Sequence, residues 1–76
     1  MSLNKTNKGA VLLKMVMKNW PPCGLTVESA ASMLEIDRST LLRWTSGRSR
    51  PDGKDLLRVE EMFGVSPRMF WIEVEE

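Results

Sequence analysis

Residues 25–51 read LTVESAASMLEIDRSTLLRWTSGRSRP, and this stretch carries the clearest structural signals in the sequence. Small and apolar side chains recur at helical spacing in two segments, about residues 27–34 and 38–46, which predicts two short helices. A threonine precedes the first segment and an aspartate precedes the second, and both are typical N-cap residues. Only three residues separate the helices, so their connection must be a tight turn, and Gly47 ends the second helix.

Three more helices are predicted around this pair. Residues 7–19 place apolar side chains on one face, and a proline pair ends that helix because proline lacks the backbone donor. Residues 54–63 form a fourth helix, and a short fifth helix begins after the cap residue Ser66. The tail at 72–75 alternates apolar and acidic residues, so a strand is the alternative there. The expected fold class is therefore all-α, with five helices.

Several apolar side chains are predicted to form the core. Trp44 lies on the inward stripe of the second short helix, and Trp20 and the six methionines are expected to fill the core as well. The fourth helix is expected to bury five residues, Leu56, Leu57, Val59, Met62 and Phe63.

Composition excludes several classes of function. The 76 residues include no histidine and one cysteine, so the chain cannot assemble a four-ligand zinc site, a histidine-activated nucleophile or an internal disulfide. No phosphate-binding P-loop is present, and we expect no enzyme, no metal and no cofactor. The longest apolar run has four residues, against the roughly 20 of a membrane span. No apolar signal-peptide core occurs at the start, so we expect a cytoplasmic protein with no membrane partner.

The net charge of +1 conceals a segregation of charge along the chain. Residues 1–19 carry four lysines and no acid, and residues 38–58 carry six basic residues against two aspartates. Residues 59–76 carry one arginine against five glutamates. A basic face turned toward a polyanion, with an acidic end turned away, would produce this pattern. Two solvated basic stretches and an acidic tail explain the charges equally well.

Two short helices joined by a three-residue turn are typical of a helix-turn-helix, whose second helix reads bases in the major groove. Residues 25–51 resemble the Cro and phage-repressor class of helix-turn-helix regulators without a gap, and the likeness continues through LLRVEEMFGVSP at 56–67. The resemblance implies a compact lambda-repressor-like domain over residues 1–76, with the motif at about 27–46. It also implies binding to double-stranded DNA. Six positions that this class keeps apolar are apolar here, Ala30, Ala31, Leu34, Ile36, Leu41 and Trp44.

Three positions depart from the pattern of that class. Val27 stands where a glutamine usually reaches a phosphate and braces the reading helix. Glu35 stands where glycine is common in the turn, and a left-handed backbone there would cost about 1 kcal/mol. Thr45 replaces a frequent glutamate.

The resemblance places the base contacts on the outer face of the second motif helix, at Arg38, Ser39, Leu42 and Arg43. Arginine paired with guanine is the commonest specific contact, and a thymine methyl group suits Leu42. Solvated surface arginines are the alternative for the two basic residues, and Leu42 could equally pack on a neighbouring turn. Candidate phosphate contacts, which position the protein without reading sequence, are Lys14, Lys18, Thr26, Thr45, Arg48 and Arg50.

The tail at 66–76 is rich in apolar residues. A chain of this length has too few core positions left to bury all of them. An exposed apolar patch usually marks a contact surface, so we expect a two-fold homodimer formed by this tail. The two reading helices would then lie about 34 Å apart, one turn of DNA. The predicted interface residues are Phe70, Trp71, Ile72 and Val74.

The leading interpretation is a small transcriptional regulator, a repressor of bacterial or phage origin that associates with the nucleoid when bound. The alternative is an antitoxin-type or other interaction module that uses the same fold to hold a protein partner. The stretch FGVSPRMFW at 63–71 resembles the end of some antitoxin domains, which keeps this alternative open.

Overall fold

The computed structural model describes residues 5–75. Its elements follow in the order β1 (Lys5–Asn7), α1 (Lys8–Lys18), α2 (Val27–Leu34), α3 (Arg38–Ser46), α4 (Gly53–Phe63), a 3₁₀ helix (Pro67–Trp71) and β2 (Glu73–Glu75). Residues 1–4 and 76, which the predicted domain and the predicted dimerisation tail include, lie outside the described residues. No helix within 5–75 is long and apolar enough to cross a membrane.

The two motif helices have the predicted bounds because their capping signals are local. Thr26 caps α2, and its hydroxyl accepts a hydrogen bond from the Ser29 amide at 3.1 Å. Asp37 occupies the N-cap position of α3 with an extended backbone, but its side chain makes no capping hydrogen bond. Gly47 ends α3 in the left-handed region, with φ of 81°. A cap that the sequence did not reveal opens α1, where the Asn7 side chain accepts from the Ala10 amide at 2.7 Å.

The core lies where α1, α2, α3, α4 and the 3₁₀ helix meet. Trp44 is buried, as predicted, and Trp20 packs edge-on against Phe63 with ring centroids 5.2 Å apart. The buried apolar residues of the central cluster are Leu13, Met17, Ala30, Ala31, Leu34, Leu41, Trp44, Val59, Phe63, Val65 and Phe70.

The structure corrects part of the predicted core. Leu57 is 58% exposed, because it lies about 200° around α4 from the inward Val59 and therefore faces the opposite side. Met62 is also exposed, so only Val59 and Phe63 of α4 are fully inside. Among the methionines, Met15 is exposed as well, and the prediction that all six fill the core is wrong.

The fifth predicted helix is a single 3₁₀ segment, and the tail after it is a strand. β2 pairs antiparallel with β1, with Thr6 opposite Val74, and the Lys8 amide donates to the Ile72 carbonyl at 2.7 Å. Thr6 in turn packs against Gly47, where a Cβ would overlap the threonine hydroxyl. The sheet therefore supports the C-terminal end of α3. Residues 5–75 are mostly helical and contain four α-helices.

Glu35 ends α2 in the left-handed region, with φ of 58° and ψ of 44°. The expected left-handed conformation is therefore confirmed, and a Cβ in this conformation is expected to cost about 1 kcal/mol. The Glu35 carboxylate forms an ion pair with Arg58 of α4, but three quarters of the Glu35 side chain is exposed. An ion pair this exposed offsets only part of the backbone cost.

Replacing Glu35 with Gly should raise the free energy of unfolding by about 0.5–1 kcal/mol, because glycine adopts this conformation without strain. Glu35→Ala is the matched control, since it removes the ion pair but keeps the left-handed Cβ. We expect the free energy of unfolding, measured with urea, to be about 1 kcal/mol higher for the Gly variant than for the Ala variant. Equal stability of the two variants would show that the turn is not strained.

Candidate nucleic-acid interface

An open depression of about 570 Å³ lies between α1, the outer side of α3 and the turn that follows α3. We call it the basic depression, because three of its lining residues are cationic and none is acidic. Hydroxyl groups and one leucine complete the lining, so the surface offers donors and an apolar contact together. Its lining residues are Lys14, Ser39, Leu42, Arg43, Thr45, Ser46 and Arg48.

One face of α3 provides the centre of the basic depression. Ser39, Leu42, Arg43 and Ser46 are spaced by three and four residues, so they project from the same side of the helix. The opposite side of α3 carries Leu41 and Trp44, which anchor the helix in the core. The helix is thus held rigidly by one face and presents the other to solvent.

Three of the four predicted base-contacting residues lie on this face, and Ser46 was missed by the sequence analysis. Seven residues, about two helical turns, separate Ser46 from Ser39, and this spacing could have revealed it. The Ser46 hydroxyl donates to the Arg43 carbonyl at 3.1 Å. Leu42 is 42% exposed. The Arg43 guanidinium is exposed and has no ion pair within the described part of the chain.

Arg38, the fourth predicted base contact, does not line the basic depression. Its Nε lies 3.1 Å from Oε2 of Glu28, in the first turn of α2, and both side chains are mostly exposed. The first residue of the reading helix is therefore tied to the helix that precedes it.

Four of the six predicted phosphate contacts lie in two surface depressions, and the other two are exceptions. Lys14 and Arg48 line the basic depression. Lys18 and Thr26 line a second open depression, of about 340 Å³, at the start of α2. Both groups lie at the surface, where a nucleic-acid backbone could reach them.

Thr45 and Arg50 are the exceptions, because each already makes a hydrogen bond within the fold. Thr45 is buried, and its hydroxyl donates to the Leu42 carbonyl at 3.2 Å. The Nε of Arg50 donates to the Phe70 carbonyl at 2.6 Å, and its guanidinium lies 5.7 Å from the Trp71 ring centroid. Burial argues against a phosphate contact for Thr45. Arg50 is exposed and bonded through Nε, so its phosphate contact stays a prediction.

The four predicted dimer-interface residues differ in how far they are buried. Phe70 is fully buried inside the chain, so this ring cannot contact a partner and its prediction is wrong. Val74 is half-buried on the inward side of the sheet. Trp71 and Ile72 are 58% and 41% exposed and form the remaining apolar surface of the tail.

Two short helices joined by a three-residue turn, the second with one face buried and the other basic, have the arrangement of a DNA-binding helix-turn-helix. The helix-turn-helix family model matches residues 13–70. The chain therefore belongs to the Cro and phage-repressor class of this family, a class of DNA-binding regulators, which confirms the resemblance seen in the sequence. A search of curated proteins finds no match.

Proposed function

We propose that this protein is a sequence-specific regulator of transcription that binds double-stranded DNA with α3 in the major groove. The observation that carries the proposal is the exposed face of α3, with three cations and no acid around the basic depression. Groove entry by a helix and neutralisation of phosphates both require this arrangement. Repression follows if the bound protein occupies a promoter, in the cytoplasm of a bacterium or in a cell infected by a phage.

Roles for the individual residues follow from their chemistry. Arg43 pairs with the O6 and N7 atoms of guanine, and Leu42 beside it contacts a thymine methyl group. Ser39 and Arg38 contact further bases toward the start of α3. The phosphate contacts that fix the helix in the groove are Lys14, Arg48, Lys18 and Thr26.

The function is tested by selecting bound sequences from a random pool of duplex DNA, followed by affinity measurements over a range of salt concentrations. We expect one sequence motif to be enriched, and we expect its binding to weaken linearly on a log–log plot against salt. If no sequence is enriched and binding disappears at physiological salt, DNA recognition is contradicted and a protein-binding module takes its place.

The tail supports a second proposal, that residues 1–76 form one domain that dimerises through 66–76. The exposed Trp71 and Ile72 are the apolar surface that favours a partner. A two-fold homodimer would place two reading helices about 34 Å apart, and an antitoxin-type module would instead place a different protein on the same surface. Sedimentation of a monomer well above micromolar concentration, with and without DNA, would contradict the homodimer.

Arg48→Ala should weaken binding to all sequences alike and lower the slope of log affinity against log salt by about 1, because Arg48 contacts a phosphate. Arg68→Ala is the matched control, since it removes the same charge from the exposed side of the 3₁₀ helix, outside the basic depression. We expect the control to leave the slope nearly unchanged. A loss of preference at a single base position would instead assign Arg48 to a base.

A further inference from the structure

The two arginines of α3 have different surroundings. Arg43 projects into the basic depression, whereas Arg38 forms its ion pair with Glu28 of α2. The pair links the first turn of α2 to the first residue of α3, so it lies between the two helix starts of the motif. It is also the place where an acid stands directly beside a predicted base contact.

This ion pair contributes little to the stability of the fold. The side chains of Arg38 and Glu28 are 61% and 69% exposed, and exposed pairs are screened by water and salt. Its physical consequence is a modest bias among the rotamers of Arg38, toward those that place the guanidinium beside Glu28.

The geometry of the pair determines which donors of Arg38 remain available. Arginine has five N–H donors in a planar fork, and here Nε lies 3.1 Å from the Glu28 carboxylate as an ion pair. A contact through Nε does not use the Nη groups, which can present two parallel donors of the kind that guanine O6 and N7 accept. Glu28 also repels the phosphates that would compete for the same guanidinium.

We propose that Glu28 is a positioning residue that makes Arg38 read a base instead of a phosphate, an inference that rests on the proposed function. Glu28 lowers affinity for DNA of any sequence through its charge, and it raises the preference for one base pair through the orientation of Arg38. Specificity at this position then belongs to the pair and not to the arginine alone.

The test uses the full chain and the Glu28→Gln variant, which keeps the size of the side chain and removes its charge. The base position read by Arg38 is first identified as the one at which Arg38→Ala relaxes preference. Affinity is then measured for the selected sequence, for the same sequence changed at that base pair, and for random duplex DNA. Because an exposed ion pair is weak, we expect Glu28→Gln to reduce this discrimination by about two- to fivefold while affinity for random DNA rises.

Two controls separate orientation from charge. Glu60→Gln removes the same charge from an exposed site on α4, and it should leave the discrimination unchanged. Arg38→Ala should reduce discrimination by about two- to fivefold less in the Glu28→Gln background than in the wild-type background, because the two residues are coupled. Additive effects of the two substitutions would overturn the inference.

The outcomes also distinguish this inference from the function on which it rests. If the wild-type protein enriches no sequence, the proposed function fails and the role of Glu28 fails with it. If the wild-type protein enriches a motif but Glu28→Gln raises affinity for all sequences equally, Glu28 acts only as a charge. In that case the positioning role is overturned and the proposed function stands.

Discussion

Gly9→Ala is expected to lower the free energy of unfolding by about 1–3 kcal/mol, as overpacking of a tight core does. In an ordinary helix the same substitution would stabilise by about 1 kcal/mol, so the predicted sign is reversed. Gly9 lies where α1 crosses the 3₁₀ helix, and its added Cβ would come within 2.7 Å of Cε1 of Phe70 and closer still to Cγ. The Phe70 ring is fully buried, so it can make room for the methyl group only if neighbouring core side chains shift.

Thermal unfolding should show this effect clearly, because 1 kcal/mol corresponds to about 4–8 °C in a domain of this size. The control is a double-mutant cycle with Phe70→Leu, whose smaller side chain leaves room for the new methyl group. Gly9→Ala should lower the free energy of unfolding less in the Phe70→Leu background than in the wild type. A stabilised Gly9→Ala protein would contradict the close packing of α1 on the 3₁₀ helix.

The motif itself could be predicted from the sequence because its signals are local. A cap residue, a three-residue turn and a C-terminal glycine define α2 and α3 within a short stretch, and their bounds were correct. The strained turn at Glu35 was also anticipated, since that position differs from the glycine common in the class. Neither prediction required knowledge of distant contacts.

The remaining features depend on contacts between distant parts of the chain. β1 has three residues and no alternation of its own, and it forms only because β2 lies beside it, with Lys5 opposite Glu75. Gly9 gives no local sign that it faces Phe70. Sequence patterns report helices and turns well, whereas pairings across about 70 residues leave no periodic signal.

The candidate site likewise combines features with local signals and features that depend on distant contacts. Helical spacing predicted that Ser39, Leu42 and Arg43 share one face, and the structure places Lys14 and Arg48 beside them. The sequence could not indicate which basic residues the fold would engage. Arg50 donates a hydrogen bond to the Phe70 carbonyl, and Arg38 forms an ion pair with Glu28 of α2. Both are arginines, a residue type that is common at DNA contacts.

Arg43→Ala is expected to relax the preference for guanine at one base position by about 5- to 150-fold, the range that a bidentate arginine contact provides. Arg43 lies at the centre of the exposed face of α3, between Leu42 and Ser46 along the basic depression. Its guanidinium is exposed, so stability should change by less than about 0.5 kcal/mol. The measurement is affinity for the selected sequence and for each substitution at that position, with thermal unfolding as the check on folding.

Arg43→Lys is the variant that separates base reading from charge. Lysine keeps the positive charge but lacks the planar fork, so it should retain much of the affinity for random DNA and lose most of the guanine preference. Arg48→Ala provides the opposite pattern, with uniform weakening and unchanged preference. If Arg43→Lys preserves the full preference and Arg43→Ala weakens all sequences equally, Arg43 contacts a phosphate. The reading of bases would then have to come from Arg38, Ser39 and Leu42, and α3 would have to enter the groove by its first turn.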